Sequence, residues 1–97
     1  MRDKLGYLAL SLLLSGCVSY GRDFNTAPVK LIQTNVTTQR EIFGYFGEPA
    51  RRGLEDGYET WTYSYQSYEF TQLRDSKELH IVFNKDNTVR TYSFTAK

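Results

Sequence analysis

Four regimes of hydrophobic spacing divide the chain. From Leu5 to Leu14 apolar residues are nearly continuous. From Val18 to Pro28 they are scattered among Ser, Gly, Asn and Pro with no period. From Thr38 to Phe46 they fall three and four apart, and from Tyr58 to Phe94 they largely alternate with polar residues. A period near 3.6 belongs to a helix and a period of 2 to a strand. The order is therefore an apolar leader, an irregular stretch, a short helix and then strands.

The helix reads over residues 38–46. Thr38-Gln39-Arg40-Glu41 forms a capping box, in which the Thr hydroxyl accepts a backbone N–H and Glu41 reaches back to the cap. Ile42 and Phe46 share one face, with Phe43 beside them. Gly47 supplies a left-handed stop and Pro49 prevents continuation. Gly44 costs about 1 kcal/mol relative to Ala inside a helix, and simple tolerance is preferred over a close backbone contact. Upstream, Val29–Gln33 reads as a short helical or extended lead-in with Leu31 and Ile32 as apolar anchors.

In the fourth regime Glu59, Trp61, Tyr63 and Tyr65 alternate with Thr60, Thr62 and Ser64, giving one aromatic and one hydroxylated face. Tyr68 and Phe70 have the opposite parity, which predicts a bulge or turn near Gln66-Ser67. Residues 50–57 and 71–77 are polar and read as loops. Leu79, Ile81 and Phe83 mark the next strand, Asn84–Asn87 a turn, and Val89–Phe94 a last strand in hairpin with it. The expected fold class is α+β: one or two short helices packed on a three-stranded antiparallel β-sheet.

Length and composition narrow the function classes. A chain of 97 residues makes one small domain. Lys and Arg number 12 against 11 Asp and Glu, which gives no electrostatic reason to bind nucleic acid. One Cys excludes an internal disulfide and a Cys-cluster metal site, and no cofactor is expected. The run Leu5–Leu14 is short of the ~20 residues that span a bilayer and suits the core of a secretory signal behind Arg2 and Lys4. It ends in Leu14-Ser15-Gly16-Cys17, which resembles a bacterial lipobox. The small residues at 15 and 16 admit a signal peptidase, and the Cys17 thiol takes the lipid. Val18 stands where an inner-membrane retention signal would have Asp, which favours the outer membrane. The expected division is a signal peptide at 1–16, a lipidated tether at 17–28 and an α+β domain at 29–97.

Candidate chemistry is sparse. His80 is the only His and alternates with Leu79 and Ile81, so a surface or edge role is preferred over catalysis. Glu48, Glu55, Asp56 and Glu59 cluster in sequence beside Arg51 and Arg52, and read as solvated loop charges, although the two arginines also suit an anionic headgroup. Asn35-Val36-Thr37 is a chance glycosylation sequon. No nucleophile motif, phosphate loop or calcium loop is present, so no catalytic residue is assigned. Trp61 and Tyr63 are expected in the core. Tyr65 and Tyr68, nearer the strand end, are the candidates for a partner-binding surface.

These pieces in order resemble the BamE family of outer-membrane lipoproteins, also called SmpA/OmlA. That family has a lipidated Cys and a tether, a Gly-x-Thr opening a helix that ends in Leu-Gly-x-Pro, a Trp-x-Tyr strand, and a strand ending in Phe before a short turn. Here Thr37 or Thr38, Ile42, Phe46-Gly47-Glu48-Pro49, Trp61-Thr62-Tyr63 and Leu79–Asn84 correspond. Asn35 or Val36 replaces the Gly, and Asn35 is able to adopt the left-handed conformation a Gly would supply. The resemblance implies a BamE-like fold, a lipid-anchored domain on the periplasmic side of the outer membrane, and a non-enzymatic scaffold role in envelope maintenance and β-barrel protein assembly. Its partners would be membrane lipid through Cys17 and outer-membrane assembly proteins. The family's headgroup and partner contacts rest on surface residues with no counterpart identified here. The rival expectation is a periplasmic inhibitor- or immunity-type binding lipoprotein.

Overall fold

The computed structural model describes residues 17–97; the proposed signal peptide lies outside them. Strand β1 (Cys17–Gly21) leads through a 3-10 turn (Ala27–Leu31) to helix α1 (Gln39–Phe46). Strands β2 (Arg51–Glu55), β3 (Tyr58–Glu69), β4 (Gln72–Phe83) and β5 (Val89–Ala96) follow. All pairings are antiparallel. The class is α+β, with one α-helix and five strands where the sequence reading expected three.

The two extra strands share one edge. β2 pairs with the first half of β3 (Arg51 opposite Thr62) and β1 with its second half (Cys17 opposite Glu69). They lie end to end, and the gap is closed by Arg22 N–H to Ser64 O at 3.1 Å and Ala50 N–H to Thr62 O at 2.9 Å. Residues 50–57 are therefore a strand and a tight turn rather than a loop. Asp56 and Gly57 both have positive φ, 54° and 83°, as a two-residue hairpin turn requires. Residues 71–77 are likewise the start of β4 and not a loop. The β3–β4 turn uses Phe70 and Thr71 with φ of 52° and 67°, an uncommon conformation for such side chains. The irregularity expected near Gln66-Ser67 falls between Ser67 and Tyr68.

Ordered structure begins before residue 29. Cys17–Gly21 is docked on β3, and Phe24, expected in the tether, is buried between Phe46 and Tyr63 with ring centroids 6.2 and 5.7 Å away. The 3-10 turn sits two residues earlier than the expected lead-in. Ile32 is buried and Leu31 exposed, so only one of the two is an anchor.

α1 forms where its pattern places it. The Thr38 side chain accepts from Glu41 N–H at 3.1 Å, and the Glu41 carboxylate accepts from Thr38 N–H at 3.0 Å. Gly47 ends the helix with φ 81°. Ile42 and Phe46 bury against Trp61, Tyr63, Leu79, Ile81, Phe83 and Val89. The Tyr63 hydroxyl donates to Gly47 O at 2.8 Å, tying the sheet to the helix end. Asn35 takes φ 65°, the left-handed conformation expected of it, and its N–H reaches Val89 O at 2.6 Å. The core thus sits at one end of the β3–β4 pair. The other end, with β1, projects as an arm.

Candidate functional site

Two surfaces stand out, one at each end of β3. The first is an open groove of about 680 Å³ lined by Thr38, Gln39, Arg40 and Phe43 of the helix start, Arg52 of β2, Trp61 of β3, and Asp86 and Asn87 of the β4–β5 turn. Its parts are brought together by the capping box and by the hydrogen bond from Gln39 N–H to Asn87 O at 2.8 Å, which holds the helix start against the last turn.

Trp61 forms the floor and is 4% exposed. Its ring packs on Phe83 with centroids 5.1 Å apart and meets Phe43 at 6.3 Å. The Arg52 guanidinium lies 4.7 Å from the ring centroid and donates to Glu48 at 2.8 Å, so Arg52 is fixed by a cation–π contact and a carboxylate together. Trp61 Nε1–H donates to Glu59 at 2.9 Å. Phe43 is 46% exposed on the groove wall. Gln39 Nε2 is buried without a hydrogen-bond partner among the described residues. Hydrogen bonds from Thr88 hold the Asp86 carboxyl below its ordinary range, so the rim carries a negative charge opposite the two arginines.

The second surface is the end of the arm. Cys17, exposed and the only cysteine, opens β1 opposite Glu69. Tyr65 and Tyr68, singled out together in the sequence, are both half-buried and lie on opposite faces. Tyr65 shares the helix-bearing face and packs on the core margin beneath Lys77 Nζ, 5.4 Å from its ring. Tyr68 is on the other face, edge-on to Tyr20 with centroids 5.8 Å apart. Both nonetheless border one shallow depression at the β1 edge, with Cys17, Val18, Ser19 and Ser67.

The remaining candidates are dispersed. Arg51 pairs with Thr62 on the sheet face away from the helix, whereas Arg52 pairs with Trp61 on the helix face. Glu48 and Glu59 are held by Arg52 and Trp61, and Glu55 lies 3.4 Å from His80 Nε2. His80 Nδ1 contacts the Thr62 hydroxyl at 2.9 Å. Burial pushes the Tyr63 phenol above its ordinary pKa, which keeps it a donor to Gly47. Among the described residues no group of three or more His, Cys, Asp or Glu is placed to hold a metal, and no helix is long and apolar enough to cross a membrane.

The sequence reading placed Trp61 in the core and missed that one side of it floors a groove. The signal available was the pairing of Arg52 with Trp61, hidden because residues 50–57 looked like a loop. No protein-family model, curated protein or solved structure matches this chain.

Proposed function

We propose that the chain is an outer-membrane lipoprotein with a BamE-like domain on the periplasmic side, acting as a non-enzymatic scaffold in envelope maintenance. The observation that carries the reading is Leu14-Ser15-Gly16-Cys17 after a short apolar run. It is supported by the position of Cys17, exposed at the outer end of β1. The lipid holds the arm end at the bilayer. The groove then lies roughly 26 Å further along β3, counting the eight residues from Glu69 to Trp61 at about 3.3 Å each.

The protein contact belongs to that groove rather than to Tyr65 and Tyr68. An aromatic floor and a fixed guanidinium suit an extended peptide carrying a carboxylate. β2 beside it is an edge strand, exposed throughout its length, with backbone groups open to pairing. β-barrel assembly subunits are the partners proposed. A single soluble periplasmic target is the rival.

Two measurements test the reading. Palmitate should label the wild-type protein in cells and not Cys17→Ser, which should accumulate as unprocessed precursor; label on the substituted protein overturns the anchor. A photo-crosslinker at position 43 should give adducts with barrel-assembly subunits. Adducts with one soluble protein instead would transfer the function to the inhibitor reading, and the absence of any protein adduct would sink the scaffold.

A further inference from the structure

We propose that the end of the β3–β4 arm is a bilayer-contact element that inserts apolar side chains among phospholipids beside the anchor. The proposal rests on the reading of Cys17 as lipidated. Four of the eight exposed large hydrophobics among the described residues gather at this end: Phe70 is 75% exposed, Tyr20 59%, Val18 46% and Leu73 43%. Strand register makes these residues one patch. Val18 lies opposite Tyr68, and Tyr68 opposite Leu73. Tyr20 packs edge-on to Tyr68, and Val18, Tyr20, Tyr68 and Thr71 line one shallow depression. Phe70 stands at the apex, in a turn whose two central residues both have positive φ. Glycine or asparagine would relieve that turn, whereas Phe and Thr hold it at a steric cost of the kind found at functional sites.

The occupant follows from the patch's continuity with Cys17. Cys17 is the cross-strand partner of Glu69, the residue before Phe70, so the thiol-bearing residue and the apex lie within about 10 Å along the backbone. β1 is docked from Cys17 onward, which leaves no slack between anchor and patch. A lipid on Cys17 therefore delivers the patch to the membrane surface, where tyrosine and other amphipathic side chains partition favourably. The nearby charges make no cationic patch. Arg74 lies 3.7 Å from Glu69, and Asp75 accepts from the Ser67 hydroxyl at 3.2 Å. The contact is thus with the interfacial and acyl region of phospholipids, not with an anionic headgroup, and is insensitive to salt.

The full chain, processed in cells and purified in detergent, is reconstituted into phosphatidylethanolamine–phosphatidylglycerol vesicles carrying bromine at a shallow acyl position. Phe70→Trp should show blue-shifted emission and roughly twofold quenching at low and high salt alike. Leu73→Trp repeats the measurement should the first variant fold poorly. Wild-type protein, reporting buried Trp61 alone, and Leu54→Trp, exposed on β2 at the far end, should not be quenched. Palmitate label on the same samples reports the anchor separately. Labelled protein without quenching overturns the bilayer contact and leaves the anchor standing. Quenching in unlabelled protein supports the contact and overturns the anchor. Quenching that disappears at high salt replaces the apolar contact with headgroup binding. Dimers trapped by a photo-crosslinker at position 70, without quenching, put a second copy of this chain on the patch and overturn the proposal.

Discussion

Trp61 is gripped on both sides, by Phe83 in the core and by Arg52 from solvent. Removing it opens a cavity under the groove and frees a buried helix face. Trp61→Ala is expected to cost about 3–5 kcal/mol, most of the stability of a domain this small. A detergent-solubilised preparation should lose its cooperative melt, and an unchanged melt would take Trp61 out of the core. A weaker contact ties the chain before the helix to the sheet. Lys77 donates to the Asp23 carboxylate and, at 3.2 Å, to Phe24 O. The Lys77 hydrogen bond holds the Asp23 carboxyl below its ordinary range. A group whose folded pKa is lowered stabilises the fold above its unfolded pKa, and that stabilisation is lost as pH falls through the folded value. Asp23→Asn should therefore melt below wild type at neutral pH. The difference should vanish once pH drops beneath the carboxylate range; a gap constant down to strongly acidic pH would show that charge is not its cause. Asp23 is solvent-exposed, so the effect is small.

Elements with strong local punctuation were legible in the sequence, and those held by pairing alone were not. Helix α1 carries its capping box, its stop glycine and its apolar face within ten residues, and the structure keeps all three. The β4–β5 hairpin was marked by Asn84–Asn87, and Asn87 takes φ 68° as such a turn needs. β2, by contrast, reads Arg-Arg-Gly-Leu-Glu, with no alternation of burial, and exists because β3 has an edge to offer. The start of β4 was hidden by its polar composition and by a turn made from Phe70 and Thr71, which signals nothing to a search for glycine or asparagine. The groove inherited that blindness, because one wall is β2. Gly44 makes no close backbone contact: the space where its Cβ would go is empty to 4 Å. Gly44→Ala should therefore stabilise the protein by about 1 kcal/mol, read as a rise in Tm of roughly 4–8 °C. A fall in Tm would mean that the glycine serves a contact not formed within this chain.

At the scale of the molecule, the sheet is divided between a packed end, with helix and core, and an arm held by strand pairing and the Tyr20–Tyr68 contact. The passage between the two is Gly21, with φ 78° and its Cα so close to Ser64 that a Cβ would lie 2.1 Å from the Ser64 carbonyl oxygen. No other residue fits there without displacing β1. Gly21→Ala should abolish slow hydrogen exchange at the β1 amides while leaving α1 and the β4–β5 hairpin protected; retained protection in β1 would contradict the close approach. The same arrangement has a mechanical consequence. β1 runs antiparallel to β3 with Cys17 at the outer end, and the ladder's hydrogen bonds lie across the strand direction. Tension applied at Cys17 along the arm loads every rung from Cys17 to Gly21 together in shear, as in a glued lap joint, instead of peeling them in succession. Beyond Gly21 the load passes to Arg22, bonded to Ser64 O, and then to Phe24 in the core. Pull at Cys17 would thus be borne by the whole β1–β3 ladder at once.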